Sequence, residues 1–306
     1  MASEQREKLH SAEFFGPERD YWWNRDHLEL IASRLGLAAV GSVLDVGCGP
    51  GHWGRLLSAV LSTEATVVGI DRERAWTNRA SVTAQELGLG ARVRYEQGVA
   101  EALAFADGSF DLVTCQTLLI HVASPSGVIT EMVRVAKPGG LILAVEPNNR
   151  ASLLVDETSE TPIDDLLERL RFELTCERGK IELGEGNNSI GDLLPGHLAE
   201  HGLTDIQAFI CDKAAMLVAP YASPDQQALR NRALTEAAES TWGWDREAAR
   251  RYFLAGGGSQ DEFEAAWRRR LGENRQRASA LTDGSLHTAG GNILYAVAGR
   301  KPGAAT

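Results

Sequence analysis

An open α/β sheet covered by helices is the fold class this sequence predicts, and three observations predict it. Short apolar runs alternate with helix-length stretches from Val43 to Glu146. The first run, Val43-Leu44-Asp45-Val46, opens into Gly47-Cys48-Gly49-Pro50-Gly51, a loop with glycine at every second position, and helix-forming residues follow. The next run closes on an acid, Asp71, about 20 residues beyond Gly51, where a doubly wound sheet carries its ribose-binding carboxylate. Such alternation implies parallel strands joined by right-handed helical crossovers.

In chain order, His52 to Val60 reads as the first helix and Thr66 to Asp71 as the second strand. Arg72 to Leu87 is a helix closed by Gly88, and Val93 to Glu96 is the third strand. Phe110 to Cys115 is the fourth strand. Val128, Ile129, Met132 and Val133 then form one helical face that ends before Lys137-Pro138-Gly139-Gly140, and Leu141 to Val145 is the fifth strand. Beyond it, Thr161 to Arg178 and Ile190 to His201 read as helices, the second stopped by Gly202, and Asp205 to Ile210 as the sixth strand. A long helical stretch spans Pro224 to Ala280. Ala255-Gly256-Gly257-Gly258 breaks it, and Ser259 with Glu262 restarts it as a capping box. Asn292 to Val297 is the seventh strand, and Lys301 to Thr306 a loose tail.

The 306 residues suffice for a substantial core, with 43% apolar and 24% charged residues. A net charge of −11 with no basic run argues against a nucleic-acid partner. Met1 to Lys8 lacks the apolar segment of a secretory signal, and no apolar run is long enough to span a bilayer, so no membrane association and a cytoplasmic location are expected. Cys48, Cys115, Cys176 and Cys211 are scattered, which speaks against a zinc site or disulfide framework; no metal is expected.

The glycine loop admits close approach of backbone to a ligand, and the helix after it offers unpaired N–H groups. The dinucleotide spacing fits only as Gly49-x-Gly51-x-x-Gly54 and would require a pyrophosphate over the helix start. Asp71 either accepts both hydroxyls of a ribose or caps the next helix.

Four ordered segments bear a resemblance to class I S-adenosylmethionine-dependent methyltransferases, nearest the small-molecule subset related to ubiquinone-pathway enzymes. Val43 to Gly51 resembles the family's first motif, and Gly69-Ile70-Asp71 its acidic second strand end. Ala104 to Val113 resembles its lead-in to the fourth strand, and Arg134-Val135-Ala136-Lys137-Pro138-Gly139-Gly140 the turn before its fifth. The resemblance implies a Rossmann-like, seven-stranded mixed sheet flanked by helices, its seventh strand antiparallel, with helical cap insertions. It implies one methyltransferase domain over 1–306, with a core of about 27–148, 190–220 and 288–301 and a cap from 1–26, 149–189 and 221–287.

S-adenosyl-L-methionine is the implied cofactor. Gly47, Cys48, Gly49 and Gly51 would hold its methionine part, Asp45 would steady loop and ammonium, Asp71 would take the ribose, and Arg72 would flank the adenine. Where the family carries an acid for the adenine amino group this chain has Val99, so that contact falls to Glu101 or to the backbone of Ala100. Gln116, at the end of the fourth strand, completes the cofactor set.

Ligands of such sheets lie beyond the carboxyl ends of the strands, which directs attention to the later loops and the insertions. His121 is a general base or a packing residue. Glu146 is a second catalytic candidate; with Asn148 it either touches substrate or caps a helix. His287 is a further substrate candidate. Tyr21-Trp22-Trp23 with Arg25 either contacts a cationic ligand or anchors the N-terminal segment, and Trp242-Gly243-Trp244 presents the same alternatives. The function expected is methyl transfer to O, N, S or C of a small molecule. The alternatives are a non-catalytic S-adenosylmethionine-binding protein or a nucleotide-dependent oxidoreductase. The cap helices also suit a homodimer contact.

Overall fold

A computed structural model of the chain describes residues 16–156, 158–241 and 244–303. Met1 to Lys8, Trp242, Gly243 and the last three residues of the tail, read above, lie outside the described residues. The elements begin with α1 (Arg25–Leu35), β1 (Ser42–Val46), α2 (His52–Ser58), β2 (Thr66–Asp71), α3 (Arg74–Glu86), β3 (Val93–Gln97), β4 (Phe110–Gln116), α4 (Pro125–Val135) and β5 (Ala136–Pro147). They continue with α5 (Asn149–Asp156), α6 (Ile163–Glu182), α7 (Leu194–Glu200), β6 (Thr204–Ile210), β7 (Ala215–Leu217), α8 (Pro224–Glu239), α9 (Arg246–Ala255), α10 (Gln260–Asp283), β8 (Thr288–Gly290) and β9 (Leu294–Arg300).

Among the described residues, seven strands form one sheet in the order β3-β2-β1-β4-β5-β9-β6. β1 to β5 pair in parallel, and β9 runs antiparallel between β5 and β6. This is the mixed, Rossmann-like seven-stranded sheet expected. Its central strands are mostly apolar because both faces are covered. Leu44 and Val46 of β1, Val113 and Cys115 of β4 and Ile142 and Ala144 of β5 pack in one layer, with Val128 and Met132 of α4. The alternate residues Val43, Leu112, Leu141, Leu143 and Val145 pack in the other, with Ile31 and Leu35 of α1 and Leu57 of α2.

Two motifs of the resemblance brace the sheet at the end where β4 begins. Asp111 accepts from Gly41 N at 3.1 Å and Ser42 N at 2.9 Å and pairs with Lys137 Nζ at 2.7 Å. Arg134 bonds Glu131, Asp107 and the carbonyls of Leu103 and Phe105. Both networks explain those side chains without a ligand.

The structure departs from the sequence reading in several places besides α1 and α5, helices which that reading did not contain. β5 starts at Ala136, and Lys137 to Gly140 form an irregularity, since Phe110 pairs with Ala136 but Leu112 with Leu141. The expected helix from Ile190 opens as a 3-10 turn over Ile190–Leu193. The stretch from Pro224 breaks a second time between Glu239 and Arg246, where Ser240 is left-handed and Asp245 caps α9 through Ala248 N. A separate two-stranded sheet, β7 with β8, was not anticipated, because strands of three residues carry no periodic signal. The capping box at Ser259 and Glu262 is present as read.

The cap has its own core. Phe172 and Cys176 of α6 pack with Tyr252 and Phe253 of α9 and Phe263 and Trp267 of α10. α6 and α9 cross where Gly179 meets the Tyr252 carbonyl and Gly256 the Thr175 carbonyl, at spacings that leave no room for a Cβ.

Candidate functional site

The glycine loop is a continuation of β1. Cys48 N donates to Ile70 O at 2.8 Å, extending the pairing to β2, and Gly51 N donates to Cys48 O at 2.9 Å to close the turn. Gly47 and Gly51 have φ of +69° and +83°. A Cβ on Gly47 would stand 2.6 Å from Leu118 Cδ1, so glycine is required on both counts. Asp71 ties the end of β2 to this loop: its Oδ2 accepts from Gly49 N at 2.9 Å and its Oδ1 from Glu73 N at 2.9 Å. Asp45 lies beneath the loop, fully buried, and accepts from Gly54 N at 3.1 Å. Its Oδ1 has no partner, and burial pushes its carboxyl up to about 8.

The chain after β4 is held in an uncommon conformation. Thr117 has φ of +52°, a strained position for a residue with a Cβ. Its hydroxyl accepts from Arg19 Nη2 at 2.5 Å, and the Arg19 guanidinium lies 4.5 Å from the Trp22 ring centroid. Burial lowers Arg19 to about 10. Glu146 supports the next turn from below: Oε1 accepts from Leu118 N and Leu119 N, both at 2.9 Å, and Oε2 from Ile120 N at 3.4 Å. Burial raises its carboxyl to about 7 against those lowering bonds. Lys180 of α6 donates to Ile120 O at 2.8 Å, which fastens the cap to the same turn.

These parts enclose a cavity of about 380 Å³ at the carboxyl ends of β1, β2, β4 and β5. Of the expected cofactor residues, Gly47, Cys48, Asp71, Arg72, Ala100, Glu101 and Gln116 line it, as does His121. Gln116 is 9% exposed, and its Nε2 has no hydrogen-bond partner. Asp45, Gly49, Gly51 and Val99 are not in the wall; the first three shape the loop, and Val99 is half-exposed.

Several candidates for acceptor contact or chemistry are not brought there. Glu146 is fully buried behind the turn, with its oxygens directed at backbone. Asn148 Oδ1 accepts from Ala151 N at 3.1 Å, as a residue capping α5 does. His287 is exposed, and it precedes β8 of the small sheet rather than the seventh strand. Trp22 lines the cavity, whereas Trp23 is core, 6.1 Å from Trp53 by ring centroids. Arg25 points to solvent and pairs with Glu29, and Tyr21 sits over a smaller neighbouring recess.

The cavity also gathers residues that the sequence reading missed. Trp53, Trp76 and Trp244 line it, as do Glu173 and Glu177 of α6, Asn188, and Arg232 of α8. A signal for the two acids existed. They fall at i and i+4 on the helical face that also carries Phe172 and Cys176, and an acid on a buried face needs a reason. Glu177 bonds Arg150 Nε at 2.9 Å and Ser189 Oγ at 2.7 Å; Glu173 Oε1 bonds Arg270 Nη2 at 3.0 Å. The described residues contain no group of three or more His, Cys, Asp or Glu that could hold a metal ion. None of their helices is long and apolar enough to cross a membrane.

Residues 39–185 match the family described as a methyltransferase domain. The chain thus carries a methyltransferase domain over those residues, and its sheet order with the antiparallel seventh strand is that of the class I S-adenosylmethionine-dependent methyltransferase fold. It is 40% identical over 134 residues to a ubiquinone biosynthesis O-methyltransferase of Pseudomonas fluorescens, a match covering 40% of this chain and 55% of that one. Similarity to a sterol 24-C-methyltransferase of Gibberella zeae is 32% over 182 residues, or 60% of this chain and 42% of the relative. The chain thus spans about half the length of the curated relatives it matches. Among solved structures, the YcgJ protein of Bacillus subtilis superposes with a TM-score of 0.51 at 20% identity, over 91% of this chain and 99% of that one, a likeness of fold.

Proposed function

We propose that the chain transfers a methyl group from S-adenosylmethionine to a small molecule held under the cap. The observation that carries this reading is the bond from Gly49 N to Asp71, which joins the glycine loop to the acid of β2 on one cavity wall. The residues suit this cofactor. Asp71 keeps lone pairs for ribose hydroxyls beyond its two backbone bonds. Gln116 Nε2, buried and without a partner, is a donor for the cofactor's carboxylate. When bound, S-adenosylmethionine supplies an electrophilic methyl group on a sulfonium.

The chain's own contribution is alignment and exclusion of water. Glu146 fixes the turn that carries His121 to the wall and so acts as a positioning residue. The segment from Glu18 to Trp22 closes one side through three consecutive side chains: Glu18 pairs with Arg232 at 3.1 Å, Arg19 bonds Thr117, and Asp20 meets His52 at 2.6 Å. Residues from each of the three insertions, 1–26, 149–189 and 221–287, line the cavity, which supports reading 1–306 as one domain with a cap. α6 also exposes Ile163, Leu167, Leu174 and Ile181, at 74%, 57%, 39% and 43%, along one face. That stripe supports a homodimer through the cap. Free cysteines suit a cytoplasmic protein.

Calorimetry with S-adenosylhomocysteine tests the reading. Wild type binds, and Asp71→Ala weakens binding at least tenfold, the worth of a lost charge-assisted bond of about 1.5–3 kcal/mol. Equal affinity for the two proteins refutes the ribose assignment, and no binding to wild type refutes the function.

A further inference from the structure

The roof of the cavity carries an acid that the cofactor reading leaves unused. Glu173 is 7% exposed, lines the cavity and is bonded through Oε1 alone to Arg270, itself 7% exposed. Oε2 accepts no hydrogen bond among the described residues. One helical turn on, Glu177 faces the same space. That oxygen opens on the cavity, where a ligand bearing donors or positive charge can take the place of its water.

Two further observations agree on the sign of that ligand. Among the described residues the wall holds six carboxylates, Asp71, Glu73, Glu101, Asp156, Glu173 and Glu177, against the three guanidinium groups of Arg19, Arg72 and Arg232, with Arg270 and Arg150, outside the wall, pairing with Glu173 and Glu177. Four indoles, Trp22, Trp53, Trp76 and Trp244, stand in the same wall, and indole faces attract cations. Burial raises the Glu173 carboxyl to about 7, so an adjacent ammonium would favour its ionised form.

Resting on the methyltransferase reading, we propose that the roof is the acceptor subsite and that it selects a small organic amine in its ammonium form, with Glu173 Oε2 as the receiving atom and tryptophan as the wall. The acidic helix face and the aromatic wall together favour such a cation over a phenol, which satisfies a donor-seeking oxygen but gains nothing from the charge. They disfavour a carboxylate outright.

The test uses the full chain and three probes of one shape: benzylamine, benzyl alcohol and benzoate, each titrated at pH 7.5 against tryptophan fluorescence. Expected is a benzylamine Kd at least tenfold below that of benzyl alcohol, with benzoate weakest. Glu173→Gln should reduce the amine preference to less than threefold. Because that change leaves Arg270 facing a neutral amide, the double variant Glu173→Gln with Arg270→Gln serves as the second measurement, with the same expectation. Equal binding of alcohol and amine, a preference for benzoate, or an amine preference intact in both variants overturns the proposal. S-adenosylhomocysteine binding on the same samples separates the two readings. Binding without amine preference rejects only the amine subsite, and amine preference without S-adenosylhomocysteine binding rejects the methyltransferase reading.

Discussion

Replacing Glu146 by Gln should make the protein less sensitive to alkaline pH, and the geometry fixes the sign. The wild-type carboxyl is fully buried, and desolvation raises it from 4.5 to about 7. A folded-state value above the unfolded one means that the native chain holds this proton longer. The contribution is therefore fully present below about pH 4.5 and lost as pH rises to about 7. Over that window the loss is about 3 kcal/mol, and between pH 5 and pH 8 about 2–3 kcal/mol. Gln keeps Oε1 for Leu118 N and Leu119 N and does not titrate. Dividing by an unfolding entropy of about 2.1 cal/mol/K per residue for 306 residues, the variant's Tm relative to wild type should climb by about 4 °C from pH 5 to pH 8.

Glu146→Ala provides the contrast. It orphans the three N–H groups of Leu118, Leu119 and Ile120, at roughly 1–3 kcal/mol each, so its Tm should fall by about 5 °C or more at every pH. Asp45, also raised by burial, is common to all three proteins and cancels in the differences. Differential scanning calorimetry across pH 5 to 8 reads both effects. A Gln variant whose pH curve parallels wild type, or one as damaged as the Ala variant, refutes the account of Glu146 as a buried, titrating brace.

Two other outcomes follow from the same inventory of partners. Gln116→Leu removes a buried donor that has no acceptor, so the ligand-free protein should gain about 1–2 kcal/mol while S-adenosylhomocysteine affinity falls about tenfold; scanning calorimetry and titration calorimetry check the pair. Ile163→Lys with Leu167→Lys should convert the proposed homodimer to monomer in light scattering at matched concentration, with Tm within about 1 °C of wild type for the isolated monomer, because both side chains are exposed.

The floor of the cavity was legible because its signals are local. Strand, glycine loop and acid lie within thirty residues of chain, from Val43 to Asp71, and each follows from apolar runs and turn chemistry. Glu146 shows where locality ends. Strand parity sets it on the face of Ile142 and Ala144, which a sequence permits one to count. That the turn after β4 folds across this face, and takes the carboxylate for its own N–H groups, depends on a neighbouring strand. His287 fails for a similar reason: β8 pairs with β7, some seventy residues earlier, and neither strand is long enough to announce itself. The roof was least legible, since which helix faces the cavity is decided by packing among insertions.

That packing also ties the two proposals about the cap to one helix. Gly179 and Gly256 let α6 and α9 touch backbone to backbone, and Lys180 fastens α6 to Ile120. With its roll about its axis fixed in this way, α6 buries Glu173 and Glu177 and exposes Ile163, Leu167, Leu174 and Ile181. A change at the outward stripe can then alter association without turning the acids from the cavity, whereas a side chain at Gly179 must displace the Tyr252 carbonyl and shift both faces together. Recognition of the acceptor and contact with a second copy are in this way separable by position along a single helix, and inseparable at its glycine.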